Sequence, residues 1–241
     1  MKIVDAFWEK RNLNVDVTEI DLDGNETVDE VVETLRKLST SYNVIKLPVA
    51  RNDLLLKVQE EGFIFVEVSI ALESGISAID IPPLYSRFLP HINIKTADER
   101  EREIVLDEIK NGEIFETDRI ALDPHFSRQM AGLRYYNWAK DLIETGADFP
   151  VAYYKDDMVA FGVNKSIDDK TYDAVLGGVI SEFGRKGFGF WALYANYDSI
   201  KRQGGKKIVT HVSSNNMPVF KLHMQNGYTV SGMKYILVKH I

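Results

Sequence analysis

The chain has 241 residues, of which 45% are hydrophobic and 27% are charged, a composition typical of a globular protein of one or two domains. It has no cysteine, which excludes disulfide frameworks, thiolate nucleophiles and thiolate metal sites. The formal net charge of -7 argues against a general nucleic-acid binder but leaves room for a local basic pocket. The sequence shows neither an apolar run of about eighteen residues nor a signal-peptide core, so we predict a cytoplasmic protein without a membrane span.

Strand and helix patterns alternate in the first part of the chain. Period-two alternation and short apolar runs predict strands at 14–22, 42–49 and 63–72. Helical spacing predicts two helices, at 27–40 and 51–62. Thr27 is a candidate N-cap for the first helix, and Gly62 ends the second.

A stretch rich in Gly, Pro and Ser, residues 74–91, shows little periodicity and separates this part from the rest. We therefore predict an N-terminal subdomain at 1–75, a linker at 76–91 and a second domain at 92–241. The stretches 44–72 and 208–237 share a plan of strand, polar break, helix, Gly-aromatic pair and strand. The common preference for Gly at the end of a helix explains this similarity equally well.

The second part begins with a strand at 92–97 and a helix at 98–112, followed by a loop at 113–126 and a longer helix at 127–146. Three strands with short turns follow, at 148–155, 158–166 and 172–181. The remaining pattern predicts a helix at 188–205, a strand at 206–214, a helix at 216–227, and a strand or hairpin at 228–241.

The stretch GRKGFGFWAL, residues 184–193, places three glycines at the start of a predicted helix. The first N–H groups of a helix are unpaired and its dipole is positive there, so glycines allow an anion to approach closely. Arg185 and Lys186 add positive charge. The pattern predicts a diphosphate cradle, although a plain tight turn explains the same residues, and it matches neither a Walker A loop nor a dinucleotide fingerprint.

Residues 171–232 resemble the core of the GNAT superfamily of N-acetyltransferases. The resemblance lies in the Gly187-Phe188-Gly189 loop, the helix-leading Asn216 and the turn at Gly227-Tyr228. It implies an α+β GNAT fold, a mixed and mostly antiparallel sheet with flanking helices, in which 1–75 forms a partial GNAT-like half. It further implies that acetyl-CoA lies between strands 171–181 and 206–213. The residues implied in cofactor binding are Val179, Ile180, Ser181, Arg185, Lys186, Gly187, Phe188, Gly189, Phe190 and Asn216.

Two positions depart from the GNAT pattern. The usual Gln or Arg of the loop falls on Gly184, which displaces the basic residue to Arg185. The tyrosine that usually protonates the departing thiolate falls on His223, so His223 is the candidate catalytic acid, with a pocket or structural role as the alternatives. Glu182 is the acid nearest the loop and a weaker candidate for proton removal.

The two-part layout and the segment 115–138 are similar to the TDP-fucosamine acetyltransferases within this superfamily. The similarity implies a nucleotide-linked amino sugar as acceptor, with Arg119, Arg134 and Tyr135 as candidate contacts. The alternative for the arginines is ion pairing with acids such as Asp118 and Asp123. A homodimer is implied by analogy only.

Three functions stay open at this point. The first is acetyl transfer to an amino sugar on a nucleotide, and the second is acetylation of a peptide N-terminus, a polyamine or another small amine. The third is a non-catalytic acyl-CoA-binding module, which the missing tyrosine keeps open. Four further histidines show no metal-ligand spacing, so the sequence predicts no metal.

Overall fold

The computed structural model describes all residues from 1 to 241. The strands are β1 (Lys2–Asp5), β2 (Val17–Asp21), β3 (Tyr42–Pro48), β4 (Ile64–Gly75), β5 (Ile92–Thr96), β6 (Pro150–Tyr154), β7 (Asp157–Ser166), β8 (Thr171–Val179), β9 (Lys207–Ser213) and β10 (Thr229–His240). The helices are α1 (Phe7–Leu13), α2 (Val28–Arg36), α3 (Asn52–Glu60), α4 (Pro83–Ser86), α5 (Glu99–Lys110), α6 (Arg119–Leu122), α7 (Arg128–Glu144), α8 (Gly189–Arg202) and α9 (Met217–Gln225).

Local sequence signals explain where several helices begin. Thr27 caps α2 and Asp98 caps α5, and in both helices a glutamate three residues later completes a capping box. Ser127 accepts a hydrogen bond from the start of α7, and Asn216 does the same for α9. These caps satisfy N–H groups that have no partner inside the helix, so the helix starts follow from the sequence.

All ten strands form one sheet in the order β1-β2-β3-β10-β4-β9-β8-β7-β6-β5. Only the pairs β2–β3 and β8–β9 are parallel. The predicted fold class, a mixed and mostly antiparallel sheet flanked by helices, is confirmed. On one face α8 packs against β5 to β8 and α9 packs against β9, whereas α5 and α7 cover the other face around β6 to β8.

The last strand of the chain lies inside the N-terminal part of the sheet. β10 pairs with β3 on one side and with β4 on the other, and β4 pairs in turn with β9. The two similar stretches of sequence thus form β3-α3-β4 and β9-α9-β10 units that exchange their last strands. Gly62 and Gly227, with φ of 87° and 81°, make the matching helix-to-strand turns. The sheet runs without a break across the predicted division at 76–91, and that division stays a prediction.

Two segments differ from the sequence-based expectations. Residues 1–13 form β1 and α1, for which no pattern was identified, and 113–126 contains the short α6 rather than only a loop. The end of the chain, predicted as a strand or a hairpin, is one strand with two register shifts. The predicted linker is ordered by packing, because Ile76 and Ile79 are buried and Tyr85 stacks on Phe190. None of the helices combines the length and the apolar character that crossing a membrane requires.

Candidate active site

A deep cleft opens where the two parallel strands β8 and β9 separate. The strands pair only from Thr171 to Asp173, and beyond that point they diverge. Side chains replace the lost strand pairing: Thr210 donates to the Ala174 carbonyl at 2.8 Å, and Asn196 donates to the Leu176 carbonyl at 3.0 Å. The cleft has a volume of about 820 Å³ and lies between α8 and α9 on one side and the α6–α7 region on the other.

The glycine stretch forms the entrance to α8 at this cleft. Five backbone N–H groups at this entrance donate no hydrogen bond within the protein. They belong to Arg185, Gly187, Phe188, Gly189 and Phe190. Helix α8 adds the positive end of its dipole. Unpaired N–H groups at the start of a helix favour binding of an anion, so the geometry supports the predicted diphosphate cradle.

The backbone conformation explains why this loop needs glycine. Arg185 and Gly187 both adopt left-handed conformations, with φ of 60° and 89°. Such a conformation is costly for most residues, and its presence at a non-glycine residue marks a backbone held by its surroundings. An added Cβ at either Gly187 or Gly189 would meet no protein atom within 4 Å. The protein therefore leaves open space beside both glycines.

The aromatic side chains of the loop pack in the core, and Phe190 also lines the cleft. Phe188 packs against Phe183 and Tyr154, and Phe190 is fully buried and stacked on Tyr85 at 4.3 Å between ring centroids. Arg185 and Lys186 are exposed and do not line the cleft. Of these predicted cofactor positions, Gly187, Gly189 and Phe190 line the cleft, and Arg185 and Lys186 add positive charge at the surface.

The end of β8 provides a free strand edge. Ile180 donates its N–H to the Val159 carbonyl of β7, so by strand alternation the N–H and carbonyl of Val179 point to the open side. The Ile180 side chain is in the core. Ser181 donates its N–H and its hydroxyl to Glu108, at 3.2 Å and 2.5 Å. Of these three predicted residues, Val179 is the one whose backbone faces the cleft unpaired.

Asn216 and His223 lie along α9 beside the cleft. Asn216 uses its side-chain oxygen to accept from the Val219 N–H at 3.3 Å. The Nδ1 atom of His223 lies 2.8 Å from the Val219 carbonyl, so Nδ1 carries the hydrogen and Nε2 is an acceptor. Burial lowers the pKa of His223, which keeps the ring neutral. A position late in a helix favours a protonated ring, and burial outweighs that effect at His223.

A tyrosine not identified from the sequence as a candidate acid lies against this histidine. The ring of Tyr228 packs edge-on against His223, 4.7 Å between centroids, and Tyr228 also lines the cleft. Burial raises the pKa of Tyr228, so its hydroxyl keeps its hydrogen at neutral pH. Tyr228 therefore carries a proton on the same wall of the cleft as His223, whose Nε2 can only accept one.

The predicted substrate residues Arg119 and Arg134 reach the cleft, but acids already pair with both of them. Arg119 lies 2.5 Å from Glu19 and 3.4 Å from Glu9. Arg134 lies 2.7 Å from Glu9 and 3.2 Å from Asp118. Burial alone would raise the pKa of Glu19, yet Arg119 and Lys46 lower it to about 2. Three carboxylates thus neutralise two guanidinium groups, and the N-terminal part supplies two of the three.

The third predicted substrate residue, Tyr135, belongs to an aromatic wall. It stacks on Phe115 at 4.3 Å and lies 6.0 Å from Trp138, whose side chain is partly exposed. Tyr135 and Trp138 line the cleft on the side away from α8 and α9. An exposed aromatic face beside buried carboxylates suits a ligand that carries both apolar surface and a positive charge.

Sequence reasoning missed two acids on this side of the cleft. Glu67 of β4 is buried, and burial, the largest effect, raises its pKa. Burial likewise raises the pKa of Asp173 of β8. A single acid inside the apolar stretch FIFVEVSIAL was the available signal for Glu67. Glu182, the acid considered from the sequence, is exposed and does not line the cleft.

The buried ion pairs lead to a stability prediction. Replacing Arg119 with Met leaves Glu9 and Glu19 with less compensation in a buried site, so we expect a loss of about 3–5 kcal/mol in unfolding free energy. Replacing Arg36 with Met breaks an exposed pair with Glu61 and should cost at most about 1 kcal/mol. Urea denaturation of both variants measures the difference, and equal losses would contradict a structural role for Arg119.

Comparisons with known proteins agree with this fold. No family model matches the chain, and no curated protein matches it. Among solved structures, a conserved protein of unknown function from Staphylococcus epidermidis matches 96% of this chain and 88% of its own with 17% identity and a TM-score of 0.62. A GCN5-related N-acetyltransferase from Kribbella flavida matches over 93% and 81%, with 15% identity and a TM-score of 0.59.

A third solved structure is the GCN5-related glucosamine N-acetyltransferase region of a fungal multi-domain GH3 β-N-acetylglucosaminidase. It matches 99% of this chain and 31% of its own, with 14% identity and a TM-score of 0.65. At these identities the likeness concerns the fold alone. The chain therefore has the fold of GCN5-related N-acetyltransferases.

Proposed function

We propose that the chain is an acetyl-CoA-dependent N-acetyltransferase that transfers the acetyl group directly to a small primary amine. The observation that carries the proposal is the group of unpaired N–H groups at the start of α8, which faces a cleft between diverging strands. In this reading, residues 185–190 hold the diphosphate of the donor through their backbone. The free edge of β8 at Val179 pairs with the amide-containing arm of the donor. A cytoplasmic location, as predicted above, gives access to acetyl-CoA.

The reaction needs an uncharged amine, and we assign its deprotonation to Glu67. The amine nitrogen attacks the carbonyl carbon, the new N–C bond forms as the C–S bond breaks, and the amine loses a proton. Glu67 is a buried carboxylate on the cleft wall with a raised pKa, the environment of a general base that works near neutral pH. Its strand, β4, comes from the N-terminal part of the chain.

The departing thiolate leaves on the opposite wall, where His223 and Tyr228 lie. His223 is neutral with its Nδ1–H bound to Val219, so it cannot donate from Nε2 unless it first gains a proton. Tyr228 carries a hydrogen that the thiolate can accept. We therefore assign the proton-donor role to Tyr228 and a packing role to His223.

The charges of the cleft favour a cationic acceptor over a diphosphate. Arg119 and Arg134 are neutralised by their own carboxylates, whereas Glu67 and Asp173 have no basic partner within salt-bridge distance. A nucleotide-linked sugar would bring two further negative charges to a wall that is already acidic. A free amino sugar fits better, because its ammonium matches the acids and its ring can pack on Trp138. One structural neighbour is described as a glucosamine N-acetyltransferase region, which supports the same acceptor class.

A panel of acceptors tests the proposal. Release of free CoA thiol from acetyl-CoA is measured with glucosamine and other free amino sugars, with UDP- and TDP-linked amino sugars, with spermine and with short peptides. We expect turnover on free amino sugars and at least about tenfold lower kcat/KM on the nucleotide-linked forms, from like-charge repulsion at the acidic wall. Turnover confined to nucleotide sugars would contradict the acceptor assignment, and no turnover despite acetyl-CoA binding would favour a non-catalytic acyl-CoA-binding module.

A further inference from the structure

Asp123, His125 and His240 form a cluster that has no part in the cleft. Their ligand-type atoms all lie within 4.8 Å of one another. One carboxylate oxygen of Asp123 is 2.9 Å from Nδ1 of His125, and the other is 2.7 Å from Nε2 of His240. The two imidazole rings stack with 3.9 Å between centroids. None of the three residues lines the cleft, so the proposed acetyl transfer does not account for them.

The fold brings these residues together from two distant parts of the chain. Asp123 and His125 lie in the turn between α6 and α7, and His240 ends β10. The linear spacing of the histidines gave no metal signal, because a separation of more than a hundred residues is not a motif. Only the insertion of β10 beside β3 places His240 against that turn.

We propose that this cluster is a binding site for a borderline divalent cation, with Zn²⁺ as the best match. Two imidazole nitrogens and one carboxylate oxygen are the donor types that Zn²⁺ takes in sites with three protein ligands. Such a site keeps a further position for water, and the exposed edge of His125 provides access. The donors suit Mg²⁺ and Ca²⁺ poorly, because those ions select oxygen ligands.

The burial of the side chains fits a metal site whose outer ligand is accessible. His125 has 61% of its side chain exposed, so a cation can reach its Nδ1 from solvent. The Asp123 carboxylate is itself almost fully buried, with 3% of its side chain exposed, which limits competition by water.

Binding a cation requires one side chain to rearrange. Donor atoms bound to Zn²⁺ at ordinary lengths lie about 3.3 Å apart in a tetrahedral site. The contacts of 2.9 Å and 2.7 Å found here go to different oxygens of Asp123, so one nitrogen must turn towards the oxygen that the other contacts. The outer side chain, His125, can rotate in this way because it is exposed. His240 is held in place by Tyr42 and Phe126, whose rings lie 4.8 Å and 5.5 Å from its own. His240 is therefore the fixed side chain of the cluster and His125 the adjustable one.

A bound cation would connect the end of β10 to the turn that follows α6. Helix α6 begins with Arg119, which lines the cleft and pairs with acids from the N-terminal part. The site is independent of acetyl transfer in its chemistry, and its test does not depend on activity. We expect the cation to stabilise the protein, because a ligand that binds only the folded state raises the unfolding temperature.

The test uses tag-free, chelator-treated protein titrated with Co²⁺ and, separately, with Zn²⁺. We expect one saturable site, seen as the visible absorption of low-coordinate Co²⁺ and as heat in a Zn²⁺ titration, with Zn²⁺ raising the unfolding temperature. His125→Gln changes an exposed side chain and should weaken binding at least about tenfold while the fold stays intact. Asp123→Asn tests the buried ligand, and His91→Gln is the matched control with no expected effect.

Two outcomes would overturn the site. The first is the absence of saturable binding of either metal to the unmodified protein, which would leave the cluster as a carboxylate that orders two imidazoles by hydrogen bonds alone. The second is metal binding that stays unchanged in both His125→Gln and Asp123→Asn and is lost when a different histidine is replaced.

Discussion

Replacing Gly189 with Asp should reduce acetyl-CoA affinity by about 100- to 1000-fold while leaving the folded protein as stable as before or slightly more stable. The new carboxylate stands among the unpaired N–H groups of the loop and repels the donor's diphosphate at short range. The same carboxylate at the start of α8 complements the helix dipole, which contributes about 0.3–1 kcal/mol to stability. Binding and stability should therefore change in opposite directions.

Two glycine variants separate this effect from backbone strain. An added Cβ at Gly189 meets no protein atom within 4 Å, so Gly189→Ala should fold normally and weaken acetyl-CoA binding far less than Asp does. Gly187→Ala forces a residue with a Cβ into φ of 89° and should lower stability as well as binding. Calorimetric titration with acetyl-CoA and thermal unfolding of each variant give both quantities. Unchanged affinity in Gly189→Asp would contradict the assignment of the loop to the diphosphate.

Replacing Glu67 with Gln should lower kcat by about 100- to 10,000-fold, because the variant keeps the shape of the side chain and loses the base. In the unmodified enzyme kcat should rise as pH increases through the raised pKa of Glu67, and this ascending limb should disappear in Glu67→Gln. Rates of thiol release across the pH range measure both effects. A variant that retains the limb would show that another group accepts the proton.

The stability of Glu67→Gln has a predictable sign. Burial raises the pKa of Glu67, so the folded protein holds this proton more tightly than the unfolded chain does. The free energy of unfolding therefore falls as pH rises from the pKa of Glu67 in the unfolded chain through its higher pKa in the folded protein. At neutral pH the Gln variant avoids the buried charge and should be at least as stable as the parent. Glu73→Gln, on the same strand but paired with Lys207, is the matched control and should keep full activity.

The helix starts and the glycine loop were predictable from the sequence because their signals are local. Capping residues such as Asp98 and Ser127 fix helix starts within a few residues, and a cluster of glycines before a helix predicts unpaired N–H groups. The GNAT resemblance added the position of the cleft, and the structure has diverging strands at that place.

The opposite wall of the cleft was not predictable because it depends on long-range pairing. The exchange of β4 and β10 brings Glu67 to the cleft, and no local pattern determines which strand enters which part of the sheet. The same arrangement places Glu9 and Glu19 against Arg119 and Arg134, which the sequence suggested as free substrate contacts. A charged residue's partner in the fold, rather than its type, decides whether it is available to a ligand.

The most direct measurement is a crystal structure of the protein with bound acetyl-CoA. We expect the diphosphate oxygens to lie within hydrogen-bond distance of the N–H groups of Arg185 and residues 187–190, and the thioester end to reach the cleft between Val179 and Glu67. Acetyl-CoA bound elsewhere, or with its diphosphate away from the glycine loop, would contradict the account.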